Sequence, residues 1–283
     1  MSQKTKFALV TGCGQGGIGE ALVTEYTNRG IHAIATVLPT ESHEHLSKAG
    51  ITWFPLDVTR ETSIQSLKQN IQSLTDGYLD VLLIFQGYTM TATDTDVKQV
   101  HLMFDVNVFG PMRMVCHFHD MLITSSGTIV SIGSIGGVVP YVYGSSYNAS
   151  KAALQHWSNT LRVEMVPLGV KVLTVISGEV GTNILKRDTE RELPEGSYFS
   201  PLATEFGQHV QRVPETTDRF IYAQNVVTQS LKDSPPAWFW YGKAMKIIRF
   251  LDTFAFRTIW DGIFWSQFNF DKLKKAHGLL YRG

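Results

Sequence analysis

Cysteine is almost missing from this sequence: only Cys13 and Cys116 occur, and neither stands at a metal-ligand spacing. Two isolated thiols exclude a disulfide framework and predict no metal site, and they suit a reducing compartment. An excess of charge is missing too. Lys plus Arg number 25 and Asp plus Glu number 25, with a pI near 7.1. Nothing in that balance draws the chain to nucleic acid or to an acidic surface. No run of about 20 uncharged apolar residues exists, so no membrane-spanning helix is expected. The opening Met1-Ser2-Gln3-Lys4-Thr5-Lys6 passes straight into an apolar run and lacks the three regions of a secretory signal. A cytoplasmic, intracellular protein is expected.

What is present is ordinary for a globular chain: 283 residues, 43% hydrophobic and 18% charged. Short β-branched and apolar runs alternate with amphipathic stretches, the pattern of a parallel sheet covered by helices on both faces. Strands are predicted at Phe7–Val10, Ala33–Val37, Thr52–Pro55, Val81–Phe85, Thr128–Ile132, Lys171–Val175 and Ala237–Trp240. Helices are predicted at Ile18–Asn28, Thr62–Leu74, Val97–Leu122, Ser150–Val166 and Thr217–Lys232. The fold class is therefore α/β, doubly wound, with a mostly parallel seven-stranded sheet. Residues 1–242 read as one domain with a lid at about 183–215 that closes over a hydrophobic substrate. Residues 243–283 read as a helical extension packed on the same domain or on an interface. Aromatic and aliphatic residues in 243–270 alternate with charges as on amphipathic helices. Cover for the protein's own core, a subunit interface, peripheral contact with a membrane or lipid droplet and a wall of the substrate pocket all remain open for that stretch.

The first strand runs into Thr11-Gly12-Cys13-Gly14-Gln15-Gly16-Gly17-Ile18-Gly19. Glycines between a strand and a helix let the backbone turn tightly and approach a pyrophosphate, which the helix N-terminus then holds. Gly12, Gly16, Ile18 and Gly19 are the candidate contacts. Asp57 and Val58 follow the third strand, where Asp57 can accept from an adenine amino group or cap the next helix. The second strand ends Ala35-Thr36-Val37-Leu38-Pro39-Thr40, with no acid before Glu41 and no Arg or Lys. A carboxylate at that place would hold a ribose 2′-hydroxyl and repel a 2′-phosphate. Its lack favours NADP(H) over NAD(H), modestly.

Tyr147-Asn148-Ala149-Ser150-Lys151 places a phenol and an ammonium on one helix face at i and i+4. A nearby cation favours the phenolate, so Lys151 is expected to lower the Tyr147 pKa and let Tyr147 serve as a general acid. Ser134, past the strand Thr128–Ile132, can hydrogen-bond the same substrate carbonyl. Asn107 is an amide in an otherwise apolar helical stretch, open to a structural or a functional reading.

In this order and spacing the glycine loop, Asn107, Ser134, Tyr147 and Lys151 resemble the short-chain dehydrogenase/reductase family, over nearly the whole chain. The resemblance implies a Rossmann fold and a hydride transfer between a nicotinamide cofactor and a carbonyl or alcohol carbon. It implies Tyr147 as acid/base, Lys151 on the nicotinamide ribose, Ser134 on the carbonyl and Asn107 holding a water in a proton relay. Ser177-Gly178 is similar to the family's Pro-Gly, which implies Val180 and Thr182 beside the nicotinamide. A homodimer or homotetramer and a small hydrophobic substrate are implied as well. Gly16-Gly17-Ile18-Gly19, the run Tyr147 to Glu164 and Leu193-Pro194-Glu195-Gly196-Ser197 are similar more narrowly to fungal NADPH-dependent 1-acyl-dihydroxyacetone-phosphate reductases. Two departures stand out. Ile84-Phe85-Gln86-Gly87 replaces the family's Asn-Asn-Ala-Gly, leaving Gln86 and Gly87 as the cofactor contacts there, and Leu38 stands where NADPH-using relatives carry Arg. They favour a ketone reductase of a specialised, secondary-metabolite pathway, with the lipid-precursor reductase as one alternative and a non-catalytic binding protein of the same fold as another.

Overall fold

The computed structural model describes residues 5–84, 90–183 and 190–278. Seven short strands, β1 (Phe7–Val10), β2 (His32–Val37), β3 (Thr52–Pro55), β4 (Val81–Ile84), β5 (Thr128–Ile132), β6 (Lys171–Ser177) and β7 (Trp238–Tyr241), form one sheet in the order β3-β2-β1-β4-β5-β6-β7. Every one of these pairings is parallel, so the sheet is more uniform than the mostly parallel one expected. All residues of β1 and β5 are buried, which is why they read as continuous apolar runs and not as alternating ones.

The helices are α1 (Ile18–Asn28), α2 (Glu44–Lys48), α3 (Glu61–Thr75), α4 (Val97–Phe104), α5 (Gly110–Ser125), α6 (Ser145–Met165), α7 (Ala203–Val210), α8 (Arg219–Ser230), α9 (Met245–Phe254), α10 (Ile259–Gln267) and α11 (Phe270–Ala276). On one face of the sheet α1 and α8 bury Leu22, Tyr26, Tyr222 and Val226, and Tyr26 Oη lies 2.6 Å from Ser230 Oγ. On the other face α3, α5 and α6 bury Ile64, Leu67, Phe118 and Leu161. Each face is thus sealed by its own apolar layer, the doubly wound arrangement of a Rossmann fold.

A third cluster joins the chain's last helices to the carboxyl side of the sheet. Trp260, Phe264 and Phe268 pack on Val139, Tyr143, Phe206 and Val210. The opposite side of this segment leaves Ile247, Phe250, Phe254 and Phe256 exposed. Among the described residues no helix is long and apolar enough to cross a membrane.

Most element ends lie within one or two residues of expectation, and the larger differences are these. α6 starts at Ser145, five residues before the expected Ser150. The helix expected over Val97–Leu122 widens at Asp105–Phe109 into a single π-turn between α4 and α5. α2 has five residues, too few to carry a readable helical period.

Candidate active site

β1 pairs with β2 on one side and β4 on the other, so the order of connection reverses between β1 and β4. Ligands in such sheets bind in the crevice outside the carboxyl ends at that reversal. A cleft lies there, and Gly12, Ile18, Gly19, Asp57, Val58 and Thr182 line it as the sequence leads one to expect. A side chain at Gly19 would bring its Cβ within 2.4 Å of the Gly12 carbonyl oxygen, so only glycine lets α1 start this close to β1. The α1 N-cap residue, Gly17, brings no side-chain cap to the first turn, a fit for pyrophosphate oxygens. Gly16 has φ +76° and lies under Asn183, whose Nδ2 donates to the Gln15 carbonyl at 3.0 Å.

Two of the expected residues also have partners within the protein. Val180 is buried in the α1/α8 core cluster and its backbone bridges to Thr217, so its side chain is not part of the cleft wall. Asp57 Oδ1 accepts from Thr59 N at 3.0 Å and Thr59 Oγ1 at 2.6 Å; it closes a turn, while the α3 N-cap position belongs to Arg60. Gln86 and Gly87 lie outside the described residues.

The absence of a carboxylate from the cofactor wall is not met either. Glu41 lines the cleft beside Gly14, Thr36 and Leu38, and no Lys or Arg is among the described lining residues. Leu38-Pro39 is the overlooked signal, because proline in second position starts a turn that reverses the chain.

Ser134, Tyr147 and Lys151 meet at the carboxyl end of β5. Ser134 is the N-cap of a single 3₁₀ turn over Ile135–Gly137, and its Oγ accepts from Gly136 N at 3.1 Å. A Cβ on Gly136 would stand 3.2 Å from the Tyr147 ring, so this loop lies against the phenol. Burial raises the Tyr147 pKa above its ordinary value, and a hydrogen bond with Ser134 pulls it back in part. Lys151 is fully buried, its Nζ donates to the Ile132 carbonyl at 3.2 Å, and it lies 5.8 Å from the Tyr147 ring centroid. Burial draws its ammonium down to about 7. The expectation that Lys151 lowers the Tyr147 pKa is therefore not met by the protein alone: a lysine titrating near neutrality is a weakened cation, and desolvation of the phenolate outweighs it.

Asn107 sits on the π-turn, a feature that often marks functional sites. Its Nδ2 donates to Ser150 Oγ at 3.1 Å, and Ser150 Oγ donates to the Tyr147 carbonyl at 2.8 Å. Its Oδ1 is buried without a hydrogen-bond partner among the described residues. Leaving such an acceptor unpaired costs about 1–3 kcal/mol, so the position favours a donor from outside the protein.

One anchoring residue escaped the sequence reading. Gln155 is buried, and its Nε2 donates to the Ser134 carbonyl at 2.6 Å. One turn on, Ser158 Oγ donates to Ser131 Oγ at 2.8 Å. Lys151, Gln155 and Ser158 thus recur at helical spacing along the face of α6 that grips β5, a periodicity of polar residues visible in the sequence once Tyr147 and Lys151 are placed. A further polar group stands under the chain's last helices. Arg212 donates to Glu179 at 2.8 Å and to His209 Nε2 at 3.1 Å, and burial draws the His209 pKa down to about 4.

The short chain dehydrogenase family model matches residues 6–193. The short-chain dehydrogenase virD of Hypocrea virens is 71% identical over 279 residues, covering 98% of this chain and 97% of that protein. The NADPH-dependent 1-acyldihydroxyacetone phosphate reductase of Schizosaccharomyces pombe is 40% identical over 202 residues, 69% of this chain and 68% of that protein. A short-chain dehydrogenase structure from Streptomyces avermitilis superposes with a TM-score of 0.78 at 24% identity, over 98% of this chain and 100% of that one, a likeness of fold. With the matched region spanning the glycine loop through Lys151, this chain belongs to the short-chain dehydrogenase/reductase family, oxidoreductases that bind a nicotinamide cofactor and a small-molecule substrate.

Proposed function

We propose that the protein is a ketone reductase that prefers NADP(H) and acts on a hydrophobic small molecule. The observation that carries this reading is the meeting of the Ser134 hydroxyl, the Tyr147 phenol and the buried Lys151 beside the cleft. The cofactor, when bound, supplies the hydride; the chain's own residues handle the proton and the carbonyl oxygen. Tyr147 donates its phenolic proton to that oxygen, and Ser134 donates a second hydrogen bond to it. Lys151 holds the nicotinamide ribose and, while protonated, favours the phenolate left behind. Asn107 Oδ1 accepts from a water that returns a proton towards Lys151. Gly12, Gly16, Ile18 and Gly19 hold the pyrophosphate, Asp57, Val58, Gln86 and Gly87 the adenosine side, and Val180 and Thr182 the nicotinamide side.

The NADP(H) preference is supported by the strand end Thr36–Thr40, which has no acid, and by the 40%-identical relative named NADPH-dependent. Glu41 narrows the margin, because a carboxylate and a 2′-phosphate at one place repel. An apolar substrate is supported by the cavity beside the Ile135–Gly137 turn, which Val138, Val139, Pro140, Leu251, Phe256 and Trp260 line. The specialised, secondary-metabolite reading is favoured over the lipid-precursor one by Leu38 and by the 71% identity with the Hypocrea dehydrogenase, well above the 40% with the phosphate reductase. Exposed Leu102, Phe109, Val163 and Val166 offer apolar surface for a homodimer or homotetramer.

The test is NADPH consumption with a panel of apolar ketones. Tyr147→Phe should lower turnover by about 10²–10⁴-fold, the worth of general acid catalysis, with cofactor affinity close to wild type. A variant keeping more than about a tenth of the wild-type rate refutes the assignment, and equal binding without turnover in both proteins favours the non-catalytic alternative.

A further inference from the structure

The loop that carries the chain from Ser134 to Tyr147 holds a second tyrosine that proton transfer to the ketone does not use. Tyr143 has φ +63°, a left-handed backbone that an aromatic residue rarely adopts. Met90 N pins it by donating to its carbonyl at 2.7 Å. The ring is buried edge-on to Phe206, His209 and Phe268, with centroids 5.0, 5.3 and 5.2 Å away. Its hydroxyl is buried with no hydrogen-bond partner among the described residues. Burial pushes its pKa up to about 12, so it keeps its proton and remains a donor. Phenylalanine would fill the same aromatic box without leaving a polar group unmet.

A second donor stands beside it. Arg212 Nη1 donates to His209 Nε2 at 3.1 Å, and a guanidinium can only donate. Nε2 is therefore the acceptor of a neutral ring, and the proton sits on Nδ1. Nδ1 has no acceptor among the described residues. Glu179 accepts from Arg212 Nη2 at 2.8 Å, so the cation beside the ring is already paired. Met90 follows β4, Tyr143 follows β5 and Glu179 follows β6, three strands that are neighbours in the sheet. The two donors thus lie outside the carboxyl ends of the strands, the side on which open parallel sheets bind their ligands. His209 and Arg212 lie past residue 193, where the family match ends.

We propose that Tyr143 and His209 together receive a second, uncharged oxygen of the substrate, remote from the ketone that is reduced. The inference rests on the ketone-reductase reading of Ser134, Tyr147 and Lys151. Two neutral donors beside a cation that is already paired suit a hydroxyl, ether or carbonyl oxygen, and not a phosphate. Phe199, Phe206 and Phe268 around the Tyr143 ring suit an aromatic body between the two oxygens. The substrate class is then an apolar ketone with one further neutral oxygen. Its ketone lies at Ser134 and Tyr147, and its other oxygen accepts from Tyr143 Oη and His209 Nδ1.

The experiment follows NADPH consumption by the full-length protein with α-tetralone and with tetralones hydroxylated at each open ring position. Wild type should favour at least one hydroxylated isomer over α-tetralone by at least about fivefold in kcat/KM, the low end of what two hydrogen bonds are worth. Tyr143→Phe removes one donor. His209→Gln removes the other, since its amide can still meet Arg212 and leaves nothing at the Nδ1 position. Each variant should cut the preference at least about threefold, through KM, and Tyr143→Phe should melt no lower than wild type. A smaller change in either variant overturns the paired role of the two donors, and a lower melting temperature with the preference kept gives the Tyr143 hydroxyl to the fold. Reduction of all the tetralones without preference by wild type also overturns this inference and leaves the ketone-reductase reading intact. No NADPH consumption with any of them overturns that reading and this inference with it.

Discussion

Replacing Gln155 with methionine tests how tightly α6 must hold the Ser134 loop. Methionine keeps the length and approximate volume of the side chain and deletes its donor. The bond lost is a buried one of 2.6 Å to the Ser134 carbonyl. The carbonyl cannot find another donor easily, because a Cβ on Gly133 would stand only 2.8 Å from Gln155 Nε2 and one on Gly137 only 2.5 Å from its Oε1. The carboxamide is wedged between two glycines. Orphaning a buried carbonyl costs about 1–3 kcal/mol. With an unfolding entropy of roughly 0.6 kcal/mol per degree for a chain of this length, the melting temperature should fall by about 2–5 °C. Ser134 shares a hydrogen bond with Tyr147, so the slack should also appear in catalysis. A net hydrogen bond of about 0.5–1.5 kcal/mol corresponds to roughly 2–13-fold in kcat. Differential scanning fluorimetry reads the first effect, and steady-state kinetics with a reducible ketone reads the second. A Gln155→Met protein that melts lower but keeps wild-type kcat and an unmoved pH profile would show that Gln155 holds the fold and not the serine.

Two other perturbations probe the charged groups. Lys151→Met should weaken nucleotide binding and remove from the ketone-reduction profile the limb near neutrality that a lysine drawn down to about 7 contributes; a profile unchanged near pH 7 with residual activity would assign that limb to another group. His209 is held neutral, with a pKa drawn down to about 4 by burial and then by Arg212, while the unfolded chain takes up its proton near the ordinary 6.5. The unfolded state therefore binds more protons between about 4 and 6.5, and stability should be lost as pH falls through that window. His209→Gln should flatten the slope of melting temperature against pH there, and an equal slope in both proteins would refute the assignment.

The sequence by itself determined the layers and the order of the chemistry. Parallel strands buried on both faces must be apolar throughout, so β1, β5 and β6 announce themselves, and the strand–glycine loop–helix order places a cofactor cleft with no further information. Tyr147 and Lys151 were legible because helical spacing is local. What tertiary structure decided involves residues whose role depends on a turn or on burial. Glu41 reads as outside the cofactor wall until the Pro39 turn folds it onto Gly14. Val180 reads as a cofactor contact, and packing puts its side chain in the core, which leaves only its backbone to face a cofactor. Of the aromatic stripe in 243–270, packing decided which members are covered: Trp260, Phe264 and Phe268 are buried, and Phe250, Phe254 and Phe256 are not. The proton balance between Tyr147 and Lys151 was likewise invisible, because spacing fixes who faces whom, whereas a pKa depends on how much water the rest of the fold excludes.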